Sequence, residues 1–167
     1  FQGHATVVSE TEVLSTYAVV MNGGIILNLE GERFGDESKG YSAFAVEVVG
    51  QPGGVAIEVF DERIFERLEG EFEDFDKAIA LGSYTRADTI EELAETLGAA
   101  PTATREALES YNAAVEAGRP DEVGRLDGRH TLSPPFYGTK VTGSLLHTQG
   151  GLVVDDDGRV LREDGSW

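Results

Sequence analysis

The 167-residue sequence predicts an α+β domain, a small mixed sheet with a helical hairpin beside it. Three observations carry that expectation. Short apolar runs rich in Val, Ile and Thr recur along the chain and are broken by Gly-containing turns, as strands require. Residues 87–117 carry two successive helix patterns with start and stop signals. The chain has 21 Gly but also 40% hydrophobic residues, so turns are frequent and a core can still form. A chain of this length buries roughly 70% of the surface its unfolded form exposes.

Val13–Val20 has strand composition and ends at the turn Asn22-Gly23-Gly24. Ile25–Leu29 reads as the next strand, with Gly31 in a tight turn after it. Ser42–Val49 fits either a short helix or a strand, because its periodicity does not decide. Gln51–Gly54 is a turn and Val55–Phe60 a strand. Asp61–Ala80 is acidic, with Ile64, Phe65, Leu68, Phe72, Phe75 and Ile79 at mixed spacing, and reads as helix and loop. Thr89 followed by Glu92 is a capping box. Ile90, Leu93, Ala94 and Leu97 then form one apolar stripe, Gly98 is a natural stop, and Pro101 blocks continuation. A second helix is expected over Thr102–Ala117, with Leu108, Tyr111 and Val115 on one side, ending at Gly118. Pro134-Pro135 forces an extended start to the strand that follows. Leu152–Val154 and Arg159–Leu161 flank a turn at Asp155–Gly158 and predict a β-hairpin. The Asp run there fails as a calcium loop, because Val153 occupies the first ligand position.

Charge narrows the function classes. The chain has 13 Lys and Arg against 31 Asp and Glu, a net charge of −18. It has no basic face for nucleic acid, and anionic membranes repel it. With no Cys, disulfides and thiolate chemistry are excluded. No run of ~18 apolar residues is present to span a membrane. The first residues lack the basic and apolar segments of a signal peptide, so a cytoplasmic location is expected. Phe1–Gly3 reads either as native sequence or as the remnant of a cleavage site.

Local motifs for chemistry are sparse. The three His are His4, His130 and His147, without metal-ligand spacing. No G-x-G-x-x-G and no phosphate-binding P-loop occurs. Gly150 and Gly151, just after His147, allow a backbone to approach a ligand closely and to aim its amides at an anion.

Order along the chain is more specific. The stretches "GGIILNLEGERFGDES", "ADTIEELAETLG", "ESYNAAVEAG" and "PPFYGTKVTGSLLHTQGGLVVDDDGRVLREDG" together resemble the FAD-dependent fumarate reductase/succinate dehydrogenase flavoprotein family, which includes 3-ketosteroid dehydrogenases. The resemblance implies the substrate-capping domain of such a flavoprotein over residues 23–143. Residues 1–22 would lead out of the FAD domain and 144–167 would return to it, with the FAD domain itself mostly absent. FAD is then the cofactor of the full-length protein and is not expected to be held by this chain alone, which would be inactive in isolation.

The resemblance also implies site residues. His4, Thr16, Tyr17 and His147 match substrate-binding positions, Tyr17 standing where fumarate reductases carry Glu. Gln149, Gly150 and Gly151 match the cofactor side. Tyr41 falls where fumarate reductases place a proton-donating Arg, and would act as general acid or base; its other reading is a half-buried structural Tyr. A phenol can move a proton but cannot neutralise a dicarboxylate as Arg does. The implied partners are therefore a small organic acid or ketone and the missing FAD-binding domain. A homodimer formed through exposed strand edges is a further expectation. The alternative is a stand-alone, non-catalytic binding or oligomerisation module of the same fold.

Overall fold

A computed structural model describes residues 2–148 and 150–166. Gln149, one of the expected cofactor residues, lies outside the described residues. The strands are β1 (Gln2–Val8), β2 (Ile25–Leu27), β3 (Val55–Asp61), β4 (Thr85–Ala87) and β5 (Phe136–His147). The helices are α1 (Ala18–Met21), α2 (Tyr41–Val49), α3 (Glu62–Leu68), α4 (Glu73–Ala80), α5 (Ile90–Leu97) and α6 (Pro101–Glu116). Among the described residues, no helix is long and apolar enough to cross a membrane.

The sheet runs β1-β5-β3-β2, and β4 also pairs with β5. β5 is the spine. One edge pairs with β3 over Phe136–Thr142, while the other takes β4 at Phe136–Gly138 and then β1 at Val141–His147. Every described pairing is antiparallel, which corrects the expected mixed sheet. The α+β class and the helical hairpin, α5 with α6, are as expected.

Period-2 alternation splits the sheet's side chains between two cores. Ile25, Leu27, Ile57 and Val59 join Ile64, Phe75, Leu93 and Leu108 of the helices on one face. Ile26, Ala56 and Val141 face the other way, onto Phe44, Ala45 and Val48 of α2. This one-sided burial explains why residues 41–49 are helix rather than strand, since 44, 45 and 48 lie on one helical face. α2 presses hard on the strands. A Cβ added at Gly143 would sit 2.6 Å from Val49 Cγ2 and 2.8 Å from the Ala45 carbonyl, and one at Gly3 would sit 2.8 Å from Ala45 Cβ.

α5 starts where the capping box predicts, with Thr89 Oγ1 accepting the Glu92 N–H at 3.2 Å. It stops at Gly98, whose φ of 72° is left-handed. α6 begins one residue earlier than expected, at Pro101, where the missing N–H costs nothing. The strand expected over Val13–Val20 is a correction. Leu14 makes a single bridge to Val7 and the chain then turns into α1, burying Val19 and Val20. The C-terminal hairpin is reduced to one bridge, Val154 to Val160. β1 and β4 are strands that the sequence reading did not assign.

Candidate functional site

Four rings meet at one end of the sheet. β1 carries His4, and the β1–β5 ladder, with Gln2 opposite His147 and His4 opposite Ser144, brings the end of β5 alongside it. The chain after β1 doubles back and delivers Thr16 and Tyr17 at the start of α1. Gly40, at φ 94°, swings the backbone into α2 so that Tyr41 is its first residue. Tyr41 stacks on His4 with ring centroids 4.6 Å apart and planes 18° apart. Tyr17 stands edge-on to both rings at 5.9 Å. His147 closes the group at 6.4 Å from Tyr41. Of the residues expected from sequence, His4, Tyr17, Tyr41 and His147 are thus brought together. Thr16 is buried beside them, and its hydroxyl accepts from the Ala18 N–H at 3.4 Å.

The two phenols differ in what holds them. The Tyr17 hydroxyl donates to the Glu37 carbonyl at 2.7 Å. Burial, with the charges of Glu37 and Glu58 added, raises its pKa far above the ordinary phenol range. Tyr17 is therefore a wall of the site. Tyr41 is half-buried, and among the described residues its hydroxyl has no hydrogen-bond partner. Its ring is fixed and its OH is free.

His4 is buried, and its Nδ1 accepts the Thr6 N–H at 3.3 Å. That contact leaves the ring's proton on Nε2. Burial lowers its pKa to about 4; Asp74 opposes the shift and His147 adds to it. Near neutral pH His4 is an uncharged donor, suited to a carbonyl or carboxylate oxygen.

A buried ion network behind Tyr17 was not legible in the sequence. Glu37 accepts from Arg33 Nη2 at 2.6 Å, from Arg125 Nη1 at 3.4 Å and from the Ile26 N–H at 2.9 Å. Arg33 also reaches Asp121 at 3.3 Å. Arg125 spends its remaining donors on the carbonyls of Val20, Gly24, Asp127 and Gly128. Two cations and two carboxylates cancel, and these guanidiniums are committed away from the rings. Spacing offered one signal, the i,i+4 pair inside "RFGDE". Arg125 and Asp121 lie 88 residues from their partners, beyond any local pattern.

An apolar groove of about 380 Å³ runs beside Tyr41 between α2 and the β1–β5 pair, lined by Gly3, Ala45, Val46, Val49, Gly143 and Leu145. Beyond His147, Thr148, Gly150 and Gly151 are exposed. A side chain added at either glycine would meet nothing within 4 Å among the described residues. Bare backbone beside a ring site fits close approach by a flat cofactor from outside. No group of three or more His, Asp or Glu among the described residues gathers as a metal site.

Comparison with known proteins identifies the family. The family described as FAD binding domain matches residues 2–167. An NADH:fumarate oxidoreductase of Klebsiella pneumoniae is 32% identical over 165 residues, covering 98% of this chain. A 3-oxosteroid 1-dehydrogenase of Mycobacterium tuberculosis is 28% identical over 86% of this chain. The chain spans 17% and 31% of the lengths of these two relatives. Among solved structures, the open conformation of a flavocytochrome c3 fumarate reductase superposes with a TM-score of 0.80 at 25% identity, over 99% of this chain and 29% of that one. With the family matched over nearly its whole length, the chain belongs to the FAD binding domain family of flavoproteins, whose cofactor is FAD.

Proposed function

We propose that this chain is the substrate-capping part of an FAD-dependent oxidoreductase that transfers hydride between flavin and a C–C bond next to a carbonyl or carboxylate. Residues 23–143 form the cap, while 1–22 and 144–167 are the segments that join it to the FAD-binding part. The observation that carries this reading is Tyr41, a ring clamped by His4 and Tyr17 whose hydroxyl is left free. FAD, when bound, supplies the hydride chemistry. Tyr41 gives or takes the proton at the neighbouring carbon, as a positioned general acid or base. His4 donates from Nε2 to a substrate oxygen, and His147 flanks it. Tyr17 shapes the wall and keeps water from the rings.

Among the described residues no unpaired Lys or Arg joins the ring cluster, which bears on substrate. Arg33 and Arg125 are consumed by Glu37 and Asp121, and His4 is neutral. A monocarbonyl compound such as an unsaturated ketone therefore suits the site better than a dicarboxylate, whose second charge would go unpaired. The test is flavin reoxidation in the FAD-loaded enzyme that carries this chain, with an unsaturated ketone and with fumarate as acceptors. Reoxidation by the ketone is expected. Failure of both acceptor classes would overturn the proposal.

A further inference from the structure

Glu58 has no role in the chemistry above, yet it is one of the most confined side chains in the protein. It sits at the centre of β3, opposite Ile26 of β2 and Thr139 of β5, at 0% exposure. Its Oε2 accepts a short hydrogen bond from Ser15 Oγ, and its Oε1 has no partner among the described residues. A buried carboxylate with one donor is costly, so the neutral acid is favoured. Burial pushes Glu58 up to about 8, with the Ser15 hydrogen bond pulling the other way. The titratable groups facing it are the phenols of Tyr17 and Tyr84, each raised in part by its charge. β2 and β5 contribute Ile26 and Thr139, which do not titrate.

Ser15 links this acid to the ring site. Its N–H donates to the Thr6 carbonyl at 2.8 Å. Its own carbonyl accepts from Thr6 Oγ1 at 2.6 Å. Its hydroxyl lies between Glu58 and the Tyr84 hydroxyl, 2.9 Å from the latter. Thr6 in turn donates its N–H to His4 Nδ1. Apart from one bridge at Leu14, residues 9–17 have no regular structure to fix them. Ser15 is thus the pin that sets the Thr16–Tyr17 segment against β1.

We propose that Glu58 is a positioning residue of the substrate site, a buried acid that holds Ser15 and, through Ser15 and Thr6, fixes the tautomer of His4 and the seat of Tyr17. The proposal rests on His4 and Tyr41 facing substrate, but its test needs no turnover. When Glu58 ionises, its carboxylate has too few donors and draws on the hydroxyls of Ser15 and Tyr84. The hydrogen bonds behind His4 then rearrange.

The experiment follows the imidazole nitrogens of this chain, labelled at His, by NMR between pH 6 and 10. Wild type, Glu58→Gln and Ser15→Ala are compared. In wild type, His4 shows an inflection near pH 8, distinct from its own titration near pH 4. Glu58→Gln, a neutral isostere whose amide oxygen still accepts from Ser15, keeps the Nε2-protonated tautomer and abolishes the inflection. Ser15→Ala keeps the main-chain bonds to Thr6 but lacks the hydroxyl that ties them to Glu58, so it too abolishes the inflection. A wild-type His4 without an inflection between pH 7 and 9, or an inflection that survives Glu58→Gln, overturns the proposal. Should Ser15→Ala not fold, the wild-type and Glu58→Gln curves decide. A flavin enzyme inert to both acceptors would sink the proposed function and leave these curves unaffected.

Discussion

Replacing Glu37 by Ala should cripple the fold. The Glu37 carboxylate is 0% exposed and receives Arg33, Arg125 and the Ile26 N–H. Its removal leaves two buried guanidiniums facing one carboxylate, Asp121. Stripping one member from a buried ion pair costs about 3–5 kcal/mol. The orphaned Ile26 amide, inside β2, adds about 1–3 kcal/mol. These terms overlap, so a loss of about 5 kcal/mol is the expectation. For a domain of this size each kcal/mol moves Tm by about 2–4 °C, which gives a drop of about 10–20 °C. Thermal and urea unfolding followed by circular dichroism measure both. A double-mutant cycle with Arg125→Met should show coupling above ~1 kcal/mol, because the two residues share one network. If Glu37→Ala lost less than ~1 kcal/mol, the claim that these four charges form one compensated buried unit would fail.

Three further outcomes follow from single contacts. His4 should titrate with a midpoint near pH 4 in the folded chain, against about 6.5 when unfolded, so its neutral form stabilises the fold above pH 6.5 and that stability is lost as pH falls toward 4; an NMR midpoint near 6.5 would contradict its burial. Gly143→Val drives a side chain into Val49 and the Ala45 carbonyl and should cost about 1–3 kcal/mol by overpacking, read by chemical denaturation; a change within experimental error would mean that α2 does not press on β5. Thr89→Ala removes the cap of α5 and should cost about 1 kcal/mol, whereas Thr89→Ser should not.

The legible parts of the fold are those whose signals are local. α5 was bounded in advance by Thr89, Glu92, Gly98 and Pro101, because caps and stops act within a few residues. β3 was legible because Val55–Phe60 is apolar at every position but Glu58, with β-branched Val55, Ile57 and Val59, as a strand covered on both faces tends to be. Residues 13–20 misled because β-branched composition does not distinguish a strand from a buried turn of helix. The difference lies in tertiary context, namely that the chain must reverse after β1. β1 itself, "QGHATVV", lacks clean alternation since both of its faces are partly covered. The ring site was legible only through resemblance, and His4, Tyr17, Tyr41 and His147 do gather. Glu58 and the Arg33–Glu37–Arg125–Asp121 network were not, because no sequence pattern marks a charged residue as buried when its partners lie many residues away.

Everything chemical in this account turns on the Tyr41 hydroxyl. Tyr41→Phe removes that one oxygen and leaves the ring stacked on His4. The decisive measurement is single-turnover flavin reoxidation by an unsaturated ketone in the FAD-loaded enzyme that carries this chain, comparing wild type with Tyr41→Phe. The predicted result is a rate lower by about 10²–10⁴-fold, with substrate affinity changed by no more than a few-fold. A Tyr41→Phe enzyme that reoxidises at the wild-type rate would contradict the assignment and leave Tyr41 a packing residue.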